Sequence, residues 1–213
     1  MNFDNFLQSL SKIKNIELPA VASHFKMVPP PRRAALMQQN EAIKNAKQAG
    51  VLALFYPDNS NETKFVLILR KTYKGVHSAQ VAFPGGKLEA GDASLKAAAL
   101  RETFEEVGVK VEDIEVIKRL SQVFIPPSNF NVQPYLGITK IKPEFVKQEN
   151  EVEDLIEVNI DDFLNDAVLI SKKVNTSYGV EIEVPAFALN GHVVWGATAM
   201  MLSEIKDLLK QFV

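Results

Sequence analysis

Apolar residues recur at helical spacing from the first residues onward. Phe3, Phe6, Leu7, Leu10 and Ile13 predict a short amphipathic helix that packs on the domain or on a dimer mate. Pro29, Pro30 and Pro31 then impose a stiff extended segment that no helix can enter. The Ala-rich stretch opened by Arg32 and Arg33 predicts a second helix running towards Gln48 and ended by Gly50. Two apolar runs, 51–55 and 64–70, are separated by the turn formers PDNSNET and read as paired strands. Further on, alternation across 113–125 predicts another strand, and Asn159 or Asp161 starts a short helix over 160–164. Segments 180–189 and 192–195 flank Asn190-Gly191, a strong hairpin signal that leaves His192 a structural place beside the turn. Thr198 is placed to cap a last helix carrying Met201, Leu202, Ile205, Leu208, Leu209 and Phe212. Strands on both sides of a central helix, with helices at both ends, make this an α/β chain with a mixed sheet.

The central helix, within residues 83–109, holds the densest chemistry. Ala97, Leu100, Phe104 and Val107 follow three-four-three spacing, which turns that stripe to the core and the acids outward. Glu102, Glu105 and Glu106 then share an arc of roughly 100°. Like charges about 4 Å apart repel by about 1 kcal/mol in water and about 4 kcal/mol at an effective dielectric near 20. A divalent cation offsets that repulsion, and hard carboxylate oxygens suit Mg²⁺ or Mn²⁺ bridged to substrate phosphates. Upstream, Gly85 and Gly86 allow close backbone approach, and the Gly86 carbonyl is a further ligand. A solvated acidic face, with Arg101 paired to Glu105 at i,i+4, is the other reading of the same spacing.

Composition excludes several classes of function. The 213 residues, 46% apolar and 23% charged, can bury one core with elaborations. A formal charge of −2 with no long Lys/Arg block disfavours a nucleic-acid partner. The absence of cysteine rules out thiol catalysis, zinc-thiolate sites and disulfides. The first residues lack the pattern of a secretory signal, and no apolar run approaches the roughly 18 to 20 residues of a spanning helix, so a soluble, cytoplasmic protein without a membrane partner is expected.

From Gly86 through Asp92 to Arg101, Glu102, Thr103, Phe104, Glu105, Glu106, Val107, Gly108 and Val109, the chain resembles the signature of the Nudix hydrolases. Asp92 replaces the usual first glutamate, and the spacer from Gly86 to Arg101 is one residue longer than usual. Both departures resemble the variant box of the coenzyme A pyrophosphatase branch. Leu67, Ile68, Leu69 and Arg70, then His77, Gln80 and the FPGG run, are similar to that branch's added motif, although Gly75 and Ala79 stand where it has arginine and glycine. Segments PPSNFNVQP and WGATAMML are similar to two others of its segments.

The resemblance implies a Nudix α/β/α sandwich over residues 48–213, preceded by a helical extension over 1–47. It implies that Gly86, Glu102, Glu105 and Glu106 bind the cation, that Glu102 binds it or takes the proton of water, and that Arg101 holds a glutamate in place. Glu151, in an E-V pair, would assist a cation or activate water. Arg70, Lys71, His77, Gln80, Ser128 and Phe130 would contact substrate, with Lys71 or Lys74 standing in for the missing arginine. The implied reaction splits the diphosphate of coenzyme A into phosphopantetheine and adenosine 3′,5′-bisphosphate. ADP-ribose or another nucleoside diphosphate derivative is the alternative substrate, and a nucleotide-binding module without turnover is the alternative class. A second acidic run, Glu149, Glu151, Glu153 and Asp154, is otherwise expected to be solvated loop.

Overall fold

A computed structural model describes residues 1–29, 32–33, 40–72, 80–175 and 181–212. The first helix forms as the spacing predicts: α1 (Phe3–Ile13) buries Phe3, Phe6, Leu10 and Ile13, and the Asn2 side chain caps it by accepting from Asp4 N–H. That apolar face is covered by this chain's own core. Two short helices among the described residues are α2 (Ala20–His24) and α3 (Asn40–Lys44). Residues 34–39 of the helix predicted towards Gln48 lie outside the described residues, and its described part ends at Lys44, because Lys47 onward pairs in parallel with a later strand.

That pairing builds the sheet. β1 (Lys47–Pro57) lies beside β2 (Thr63–Arg70) as the two apolar runs predict, and β3 (Val81–Ala82) and β4 (Gly85–Lys87) add to β2 and β1. The predicted strand over 113–125 is instead two, β5 (Glu115–Arg119) and β6 (Val123–Ile125), both antiparallel to β7 (Phe130–Ile138). Their break lies opposite Pro134, which has no N–H for the ladder; its carbonyl takes Leu120 N–H at 3.0 Å. β8 (Val152–Asn159) runs through the acidic stretch expected as loop, burying Val152, Ile156 and Val158 against β2. The eight strands form one mixed sheet, with β1 and β7 parallel.

A helix α4 (Leu95–Val107) covers one face of this sheet, where Leu52, Leu54 and Tyr56 meet Ala99 and Val107. Alternate residues Ala49, Ala53 and Phe55 face the opposite layer, shared by α1 and the last helix. The short α5 (Ile160–Leu164) starts with Asn159 as its cap. After it, β9 (Leu169–Asn175), β10 (Glu181–Leu189) and β11 (His192–Val194) make a second, three-stranded sheet. Asn190 and Gly191 both have positive φ, 47° and 80°, so the hairpin forms as expected. The last helix, α6 (Gly196–Leu209), starts before Thr198, and the Thr198 hydroxyl donates to Val81 O instead of capping. Phe212 lies beyond its end. Among the described residues no helix is long and apolar enough to cross a membrane.

Candidate active site

Small residues let α4 approach the sheet closely. At Gly50 a Cβ would stand 2.1 Å from Leu95 O, so the strand residue expected to end a helix is where α4 rests. Ser94 caps the helix by accepting Ala97 N–H at 3.2 Å, and Gly108, at φ 78°, closes it. The buried face consists of Ala98, Ala99, Thr103, Glu106 and Val107. Phe104, placed inside by the three-four-three reading, is 50% exposed, and Glu106, placed outside, is 1% exposed. The helix is turned so that its smallest side chains meet the sheet, and one carboxylate goes in with them.

The glycines of β4 complete this fit. Gly85, at φ 143°, tucks its Cα against Gly50 O and Val51, where a side chain would clash, and it donates its N–H to Glu106 Oε2 at 2.8 Å. A Cβ on Gly86 would fall 2.3 Å from Glu102 Cδ, so the Glu102 carboxylate lies directly against bare backbone. Arg101 organises the outer acids through five hydrogen bonds: two to Asp92, one to Lys87 O, one to Glu102 Oε1 at 3.0 Å and one to Glu105 Oε2 at 2.9 Å. The guanidinium holds the Asp92 carboxyl below its ordinary range.

Electrostatics separates the three glutamates of α4. Glu105 is half exposed. Burial pushes Glu102 up, against the opposing charge of Arg101, and the neighbouring Glu105 and Glu151 add to the rise. Burial also pushes Glu106 up, to about 7, although Arg70 and the Gly85 N–H oppose it. Arg70 Nη2 stands 3.2 Å from Glu106 Oε1 but off the line of a hydrogen bond, so Oε1 is buried without a donor.

The surrounding loops bring other expected residues to the same place. Arg70 N–H donates to Gln80 O at 3.0 Å and Lys71 N–H to Glu151 O at 2.9 Å, so Arg70, Lys71, Gln80 and Glu151 converge beside Glu106. Gln148 N–H caps the Glu106 carbonyl at 3.0 Å, a contact with no signal in the sequence. His77, like Lys74, Gly75 and Ala79, lies outside the described residues. Ser128 and Phe130 sit across β1 from β4: Ser128 donates to Ile125 O, and the Phe130 ring faces Lys47 Nζ at 5.7 Å. Among the described residues neither bonds to Glu102, Glu105, Glu106 or Glu151.

The residues present suit a hard divalent cation. Among the described residues no three carboxylates converge into a ready cage, since Arg101 ties Glu102 and Glu105 and Arg70 faces Glu106. The donor set is nevertheless all oxygen, the buried Oε1 of Glu106 lacks a donor, and Gly86 leaves the space beside Glu102 free of side chain. Those features fit Mg²⁺ or Mn²⁺ and no soft metal.

Residues 46–176 match the NUDIX domain family. The chain is 32% identical over 166 residues to the Nudix hydrolase NudL of Enterobacter sp. (strain 638), covering 76% of this chain and 83% of that one. It is 28% identical over 157 residues to the peroxisomal coenzyme A diphosphatase ndx-8 of Caenorhabditis elegans, covering 73% of this chain and 65% of that protein. The crystal structure of RenU, a Nudix hydrolase from M. smegmatis, shares the fold at 15% identity, with a TM-score of 0.55 over 78% of this chain and 87% of that one. A family match across more than half of the chain, joined to the glycine turn and the Arg101-centred glutamates that the fold assembles, establishes that this protein belongs to the Nudix hydrolases.

Proposed function

We propose that this Nudix hydrolase cleaves the diphosphate of coenzyme A or its derivatives, using Mg²⁺ or Mn²⁺, to give phosphopantetheine and adenosine 3′,5′-bisphosphate. The observation that carries the reading is the pairing of Arg70 with the buried, under-bonded Glu106, which puts a phosphate-binding cation beside a metal-binding acid. The coenzyme A choice draws support from the segments at Leu67, Pro126 and Trp195 and from the name of the ndx-8 relative. In this reading residues 1–47 form a helical extension laid on a catalytic domain of residues 48–213, and the protein works in the cytoplasm.

Glu102, Glu105, Glu106 and the Gly86 carbonyl would hold the cation. When bound it supplies positive charge that stabilises the phosphate oxygens and favours water as a nucleophile near neutral pH. Arg101, fixed by Asp92, keeps Glu102 and Glu105 oriented, which limits reorganisation during the reaction. Arg70 and Lys71 bind the diphosphate at the mouth of the site. Glu102 or Glu151 accepts the proton of the attacking water. Water adds at one phosphorus, the bridging P–O bond breaks, and each product keeps one phosphate of the cleaved diphosphate, the adenosine product carrying its 3′-phosphate as well.

Gly75, standing where the branch has a second arginine, favours a second reading in which ADP-ribose or another nucleoside diphosphate derivative is the substrate. The test is incubation of purified protein with Mg²⁺ or Mn²⁺ and coenzyme A, acyl-coenzyme A, ADP-ribose and dinucleotides, read by product mass. Adenosine 3′,5′-bisphosphate is the expected product. Cleavage of ADP-ribose with coenzyme A left intact would favour the second reading, and no cleavage of any compound would favour a binding module.

A further inference from the structure

Arg101 and Arg70 both contact glutamates of α4, but they are held very differently. Five hydrogen bonds fix Arg101, including both oxygens of Asp92. Among the described residues, the Arg70 guanidinium has the Glu106 ion pair alone, at 3.2 Å and without hydrogen-bond geometry. Its backbone is anchored in the β2 ladder and to Gln80, while its side chain, 24% exposed, reaches the site from the rim. Among the described residues no hydrogen bond reaches the oxygen it faces, Glu106 Oε1.

We propose that Arg70 is a positioning residue that occupies the cation's place on Glu106 while the enzyme is empty, and that cation loading turns it outward to the substrate phosphates. A guanidinium and a divalent ion at one carboxylate oxygen repel each other twice as strongly as two unit charges at the same distance. The weakly held group leaves, and Arg101 stays. Released at the rim beside Lys71, the guanidinium meets the diphosphate, so the cation and the substrate each raise the affinity for the other. Without Arg70 the empty site would hold an uncompensated buried carboxylate, and with Arg70 fixed there the cation could not enter. The inference rests on the reading of Glu106 as a cation ligand.

Calorimetric titration with Mn²⁺ alone, without nucleotide and at alkaline pH, tests it. Arg70→Gln should bind Mn²⁺ about tenfold more tightly than wild type, since it removes a competing charge within a few ångströms. Arg70→Lys, which keeps the charge, should bind Mn²⁺ close to wild type. Kinetically, Arg70→Gln should raise KM for the diphosphate substrate more than it lowers kcat, with partial rescue by Arg70→Lys. Unchanged or weaker Mn²⁺ binding by Arg70→Gln overturns the proposal.

Should that variant fail to fold, wild-type protein decides. Its arginine Nε–H resonance, assigned by its loss in Arg70→Lys, should move during a Mg²⁺ titration, and a resonance that stays in place overturns the proposal. Glu106→Gln separates the cation-ligand role of Glu106 from the role of Arg70. If it binds Mn²⁺ as well as wild type, the ligand assignment itself falls; if it loses Mn²⁺ while Arg70→Gln gains nothing, only the role of Arg70 falls.

Discussion

Two helices of this protein bury charge, and they do so to different ends. On α6, Glu204 is fully buried yet both carboxylate oxygens are used, Oε1 by Ala20 N–H at 3.2 Å and Oε2 by Ser121 N–H at 3.1 Å, with His24 Nε2 3.5 Å away. Two residues on, Lys206 gives its ammonium to Phe163 O, Asn165 O and Asp166. On α4, Glu106 is equally buried but one oxygen has no donor. A charge that holds a scaffold together has its hydrogen-bonding capacity filled by the chain itself. Glu106, the proposed ligand of the cation, is left incomplete, and its neighbours, Glu102 and Glu151, make it less comfortable.

The largest effect should come from changing the incomplete charge. Glu106→Gln keeps the shape and should lower kcat by about a thousandfold, equivalent to about 4 kcal/mol of transition-state stabilisation. Steady-state turnover at saturating Mg²⁺ measures it, and wild-type kcat would remove Glu106 from the site. Glu204→Ala should do the opposite. It strands the N–H groups of Ala20 and Ser121 in the interior and should destabilise the fold by about 3 kcal/mol, while kcat per folded molecule is unchanged. Urea unfolding alongside activity corrected for folded fraction separates the two; a large kcat loss in Glu204→Ala would erase the distinction between the helices.

Acidity gives the two helices opposite signs. Glu106 is raised in the folded protein from 4.5 to about 7, so the native state binds its proton more tightly than the unfolded chain does. Its contribution to stability is full below 4.5 and is lost as pH rises to about 7, by about 3 kcal/mol at most. On Glu204, burial raises the carboxyl, but the neighbouring His24 and the bond from Ser121 N–H outweigh that and lower it. Its contribution is present above 4.5 and lost as pH falls through the lowered value. Unfolding of cation-free protein across this range should therefore show a decline on the alkaline side that Glu106→Gln removes. Equal slopes in the two proteins would mean that the buried carboxyl is not strained. Added Mg²⁺ should restore wild-type stability there, since a ligand of the native state stabilises it by mass action.

This contrast also explains what could be read from the chain. The glycine turn, Arg101 and the glutamate spacing were legible because each is local, within a few turns of one helix. Burial of Glu106 was not. Periodicity ranks side chains by polarity, and it sent Phe104 inward, whereas packing over Gly50 selected Ala98, Ala99 and Thr103 for their size and took Glu106 with them. The meeting of Arg70 with Glu106 has no local signal, since it depends on β2 and β4 converging beside α4. β8 was hidden because Val152, Ile156 and Val158 alternate among acids, with a bulge opposite Leu69 and Arg70. β9 was missed because LISKKVN has too few apolar residues to stand out, and its identity comes from pairing with β10. Nothing about α6 marked Trp195 as its start; Thr198, the better cap by type, is drawn away by Val81 O.

The smallest test concerns how the two helices begin. α4 has a side-chain cap at Ser94, whereas α6 has none at Trp195 and is held instead by the bond from Thr198 to Val81. Ser94→Ala should cost about 1 kcal/mol, because it removes the acceptor for Ala97 N–H without filling its place. For a chain of this size that is a fall in Tm of about 2 to 4 °C, measurable by circular dichroism. Activity should hold, because Leu95 O still rests on Gly50 and Arg101 is fixed independently through Asp92, leaving the turn that carries Glu102 and Glu106 in place. A loss of turnover without a matching loss of stability would instead show that the first turn of α4 sets the position of its acids. The glutamates would then depend on the cap as well as on Arg101, and the incompleteness of Glu106 would be a property of the whole helix rather than of one buried oxygen.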